Sequence, residues 1–113
     1  MATMTRCSNC SDPMATGPFA PAPLGDGTVC RPTCWLDQAL RYFTVPAARV
    51  LALRDALQLG AETETVTLHF YDRPKIDGVV VDFTDRVVSI SDENDDERAV
   101  LWANVANVDA VIA

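Results

Sequence analysis

Residues 66–91, VTLHFYDRPKIDGVVVDFTDRVVSIS, decide how this chain is read. Val66, Leu68 and Phe70 alternate with Thr67, His69 and Tyr71, the period-two pattern of a strand with one buried face. Asp72-Arg73-Pro74-Lys75 interrupts the pattern, because proline fixes φ and has no N–H to give a ladder. A second strand is expected over residues 76–83, with Gly78 inside it, and an interior glycine marks a bend or bulge where a sheet curls. Thr84-Asp85-Arg86 makes the next turn, and Val87, Val88 and Ile90 a third strand. After a polar loop at 92–98, residues 99–102 and 108–112 supply two more. Short antiparallel strands in this succession predict a five-stranded barrel of the SH3-like or Sm-like kind.

Ahead of the strands lies VPAARVLALRDALQLG, residues 45–60. It reads as a helix with Thr44 as its cap, Pro46 in its first turn and Gly60 at its end. Val50, Leu53, Ala56 and Leu57 share a face, which Leu51 and Leu59 broaden. Packing of that face against the core is expected. The competing reading is a recognition helix that presents Arg49 and Arg54 to phosphates, a thin footprint for that purpose.

A helix, a strand, a short turn and a long bent strand with one glycine resemble the Sm fold. The spacing from Val66 through Gly78 and Phe83 to Val88 is similar to that of the bacterial Sm-like RNA chaperones. The resemblance implies an Sm-like scaffold, closure of its strand edges between subunits, and hence a homo-oligomer. It departs from the family where RNA is met. Sm proteins follow the aromatic with an aspartate, whereas Phe83 precedes Thr84, and LWANVAN stands in place of the family's second motif. Fold therefore carries over and RNA binding does not.

The N-terminal third is organised by cysteine. Cys7, Cys10, Cys30 and Cys34 form C-x2-C…x19…C-x3-C, and two close pairs at such a separation can converge on one tetrahedral Zn²⁺ as four thiolates. The stretch between the pairs is rich in proline and glycine and cannot build a core. The second pair opens a helix, with Pro32 in its first turn and Trp35, Leu36, Ala39, Leu40 and Phe43 on one apolar face. A knuckle, a hairpin and two ligands at a helix start resemble a treble-clef zinc finger. Disulfides and a reactive thiol are the alternatives; no export signal supports the first, and the second needs a depressed pKa at an exposed site. A four-thiolate site is coordinatively closed, so the metal is expected to be structural.

The chain has 113 residues, 49% of them hydrophobic, enough for a core. The expected division is a zinc-finger module with its helix at 1–43, a connecting helix at 44–60 and the small barrel at 61–113, an α+β arrangement. No run of about 18 apolar residues is present and MATMTRCSNC has no apolar signal core, so a cytoplasmic location without a membrane span is expected. The net charge is −7, with residues 1–60 at +1 and 61–113 at −8, a sign that repels phosphate backbones. The 92–97 run, DENDDE, reads as a solvated loop; it lacks the glycine and distal glutamate of a calcium-binding loop.

Little here points to catalysis. His69 is alone on a strand face, Asp82 and Asp85 flank Phe83 near a turn, and Trp102 reads as a core or interface anchor. No nucleophile elbow, phosphate-binding loop or dinucleotide fingerprint is present. The expected function is a non-enzymatic interaction or regulatory module with structural zinc that binds a protein partner or itself. The alternative is an Sm-like nucleic-acid-binding regulator.

Overall fold

The computed structural model describes residues 32–112, together with the backbone of two short strands, β1 (Thr5–Arg6) and β2 (Pro13–Met14). These two pair antiparallel, Thr5 with Met14 and Arg6 with Pro13. Helix α1 (Pro32–Tyr42) and helix α2 (Pro46–Gln58) follow. Five strands complete the chain: β3 (Thr63–Phe70), β4 (Ile76–Phe83), β5 (Val87–Asp92), β6 (Glu97–Leu101) and β7 (Val105–Ile112), with a 3₁₀ turn at Trp102–Asn104 joining the last two. They form one antiparallel sheet in the order β6-β5-β4-β3-β7. The fold is α+β, two helices on a five-stranded sheet.

The expected barrel does not close. Among the described residues β6 pairs with β5 alone and β7 with β3 alone, so β6 and β7 are the edges and do not pair with each other. The reason lies in what fills the core. α2 packs across β7, and α1 packs on α2 and reaches β7. Their side chains Leu36, Val50, Leu53, Ala56 and Leu57 join Val66, Leu68, Val88, Ile90, Val100, Trp102, Val105 and Val108 in one cluster. The two helices join the core of the sheet through β7, and helices covering one face of an antiparallel sheet satisfy its burial requirement without closure.

Strand phase follows the alternation at β3, where Val66 and Leu68 are fully buried. β4 is less regular. Ile76, Gly78 and Val80 turn inward, then Val81 and Asp82 both face out before Phe83 returns to the core side. The pairing explains this: Val80 opposes Ile90, but Asp82 opposes Ser89, leaving Val81 as an extra residue. The bulge therefore sits at Val81 and not at Gly78. Gly78 answers a different demand, since a Cβ there would strike the Ser91 carbonyl oxygen and lie 2.9 Å from Ile90 Cγ2. Glycine is required because the neighbouring strand passes too close for a side chain.

α2 ends as its sequence predicts. Gly60 has φ +99; its N–H donates to Leu57 O, and the Ala61 N–H donates to Ala56 O at 2.9 Å. That pair of bonds is a Schellman motif, with the buried Ala61 and Ala56 making the apolar contact beside it. The N-terminus differs from expectation. Val45 occupies the cap position with no side-chain cap bond, and Thr44 does not fill the role. Pro46 at the first position forces the preceding residue to extended backbone and supplies no N–H that needs a partner.

Candidate functional site

Arg49 is the most connected polar side chain described. It lies on the first turn and a half of α2, aimed at the junction of α1 and β7. Its Nε donates to Asn107 Oδ1 at 3.0 Å, and its Nη2 to Val108 O at 2.7 Å and Asp109 Oδ1 at 2.8 Å. Its Nη1 donates to Leu40 O and to Phe43 O. Leu40 O is one of the carbonyls that the end of α1 leaves without a helical partner, and a cation there also meets the negative end of the helix dipole. The guanidinium, 13% exposed, pins two helices to the strand that both must cover. The competing reading, in which Arg49 faces phosphates, finds no support, because its donors are used inside the fold.

Asp109 shares itself between Arg49 and His69, whose Nε2 lies 3.0 Å from Asp109 Oδ2. His69 sits on the outward side of β3, opposite Asn107. His69 is thus a partly exposed ring joined to the Arg49 node through Asp109. Asp82 accepts the Phe83 N–H at 2.9 Å, and among the described residues no hydrogen bond joins it to Asp85.

The 92–97 run is a built turn. Asp92 Oδ1 accepts the N–H groups of Asn94 at 2.9 Å and Asp96 at 3.0 Å, while Arg98 Nε lies 3.2 Å from Asp92 Oδ2. Burial pushes the Asp92 carboxyl up, but the Asp96 and Asn94 N–H groups and the Arg98 guanidinium together hold it below its ordinary value of 3.8. Asp95 takes φ +61 to close the turn. Among the described residues no group of three or more His, Cys, Asp or Glu is placed to hold a metal.

Of the four cysteines only Cys34 falls among the described residues, buried at 3% exposure in the first turn of α1. Beside it, Thr33 Oγ1 accepts the Glu62 N–H at 2.9 Å, which ties the start of α1 to the chain entering β3. Cys7, Cys10 and Cys30 lie outside the described residues.

Trp102 is a core anchor. Its ring is 5% exposed, its Nε1 donates to Thr84 O at 2.9 Å, and its backbone N–H donates to Arg86 O. Thr84 in turn accepts the Arg86 and Val87 N–H groups on its hydroxyl, so a short side-chain acceptor after Phe83 shapes the β4–β5 turn. Against Trp102 lies a groove of about 330 Å³ between α2, this turn and the end of β6, lined by Val50, Leu51, Arg54, Arg86, Leu101 and the tryptophan itself. Leu51 and Leu101 stand 48% and 49% exposed on its two banks. Periodicity places Leu51 off the main helix face but cannot show that a β6 residue stands opposite.

Protein families, curated proteins and solved structures were all compared with this chain, and none matches it. No helix described is long and apolar enough to cross a membrane.

Proposed function

We propose that the chain is a non-enzymatic interaction module, an Sm-like or SH3-like open sheet with a zinc-stapled N-terminal finger, which binds protein or pairs with copies of itself. The observation that carries this reading is the sheet's two unpaired edges, β6 and β7, each with an exposed apolar side chain, Leu101 and Val111. Unpaired N–H and C=O groups along an edge are a template for another strand. The acidic 61–113 half opposes indiscriminate pairing, since like-charged copies repel within about 8 Å at physiological salt. Zinc held by Cys7, Cys10, Cys30 and Cys34 would rigidify the first third and take no part in chemistry.

The second reading, an Sm-like nucleic-acid regulator, draws support from the strand order. With the chain's five sheet strands counted in sequence, the order is fourth, third, second, first, fifth behind a helix, as an Sm-like scaffold requires. Five of the arginines with described side chains argue against it. Arg49 is spent internally, Arg41 pairs with Asp37, Arg54 with Asp55 and Arg98 with Asp92, and Arg73 lies 4.9 Å over the Phe70 ring. Light scattering and titration of labelled single-stranded RNA and duplex DNA at two salt concentrations test the pair of readings together. An oligomer, or a monomer that captures protein, with nucleic-acid binding weak and lost at moderate salt, is the expected result. Tight RNA binding that survives moderate salt and falls on Arg41→Ala with Arg54→Ala would install the regulator instead.

A further inference from the structure

We propose that the groove between α2, the β4–β5 turn and the end of β6 is the docking site for a partner segment with one apolar anchor side chain flanked by carboxylates. This rests on the interaction-module reading and names the class of partner. The floor is apolar and fixed: Val50 is buried, and the Trp102 ring is locked by its bond to Thr84 O. At about 330 Å³ the space suits one or two side chains, the low end of binding pockets. Leu51 and Leu101 flank it as half-exposed banks that an incoming apolar group would cover.

Charge selects the occupant. Residues 61–113 carry −8, yet two guanidiniums, Arg54 and Arg86, stand at this rim against Asp85. Arg54 uses Nε on Asp55, leaving its terminal nitrogens for another acceptor. Among the described residues Arg86 is the one arginine with neither an ion pair nor a ring contact. An exposed cation beside an apolar groove on an acidic body attracts a carboxylate and repels a basic segment. Nucleic acid fits poorly, because the Trp102 ring is buried and offers no face on which to stack a base. A second copy could offer its 92–97 turn, but that run is wholly polar and supplies no anchor.

The test uses the full chain and an array of decapeptides, each with one leucine or phenylalanine flanked by Asp and Glu. Matched sets carry Asn and Gln, or Lys, at the flanking positions. Hits are measured by fluorescence anisotropy at low and physiological salt. The acidic set should bind best, with the Lys set silent. Leu51→Ser and Arg86→Glu should each weaken it by about tenfold, and Arg86→Glu should raise binding of the Lys set. Lys75→Glu, the same charge change outside the groove lining, should leave affinity within about twofold. Leu101→Ser repeats the test from the opposite bank, and amide spectra confirm that each variant keeps the fold. Equal binding of acidic and basic sets, no binding, or indifference to Leu51→Ser and Leu101→Ser overturns the proposal. So does loss of self-association in Leu51→Ser, whose side chain lies on α2 and off the sheet edges, which would make a second copy the occupant; in Leu101→Ser that loss reports on the β6 edge instead. If the peptides fail while the chain still assembles or captures protein, the module reading stands and only this site falls.

Discussion

Arg49 shows how much one side chain can carry. Three elements meet at its guanidinium, and a planar fork of donors fits their carbonyl and carboxylate acceptors as a point charge could not. Arg49→Ala should therefore cost about 2–3 kcal/mol in urea unfolding, since it strands buried acceptors. Arg49→Lys should recover only part of that. A loss below about 0.5 kcal/mol would place it among ordinary surface pairs. Gly60 and Gly78, the two glycines among the described residues, make a complementary pair of substitutions. Gly60→Ala strains a positive φ and should cost about 1 kcal/mol. Gly78→Ala has no φ penalty but drives a methyl into the Ser91 backbone, so the strands must part; about 1–3 kcal/mol is expected, with the shift seen in Ser91 and Asp92 amide resonances. Neither the Arg49 node nor the Gly78 crossing was legible in the sequence. Arg49 lies 58–60 residues from its β7 partners, and nothing local announces that an arginine will turn inward.

At the scale of elements, local signals were read well where local chemistry decides. Gly60 ends α2, the Val66-Leu68 alternation sets the face of β3, and the Pro74 turn separates β3 from β4. Val79-Val80-Val81 was opaque because three valines in a row carry no phase, and the pairing with β5 alone locates the bulge. The 92–97 run looked like a loose acidic loop, yet Asp92 organises it. The carboxyl of Asp92 sits below its ordinary 3.8 in the fold, so its contribution is present above that pH and is lost as pH falls through the depressed folded value. Acid should therefore release the Asn94 and Asp96 amides only below the ordinary carboxylate range. Their resonances should move, and their exchange quicken, in that window, and Asp92→Asn should abolish the step. Movement that tracks an ordinary carboxylate pKa would show that the turn does not depend on Asp92.

At the scale of the whole molecule, the question is how the cysteine-bearing third engages the helices and sheet. Cys34 provides the link. It is buried in the first turn of α1, two residues before Leu36, which lies in the shared core, and beside Thr33, which holds the Glu62 N–H. A metal that engages Cys34 would thus stiffen a helix start already fastened to the sheet. Metal loss should then be felt in two tiers. Freshly purified, reduced protein should contain about one zinc per chain, as a single four-thiolate site demands. Chelation, or Cys30→Ser, should speed amide exchange in residues 33–36 and lower the melting temperature. Amides of β3, β4 and β5 should stay protected, because their core of Val66, Leu68, Val88 and Ile90 is fully buried without reference to the cysteines. Protein that is metal-free when isolated under reducing conditions, with residues 33–36 already protected, would remove zinc from the account and leave the start of α1 held by its packing in the core and by the Thr33 bond to the Glu62 N–H.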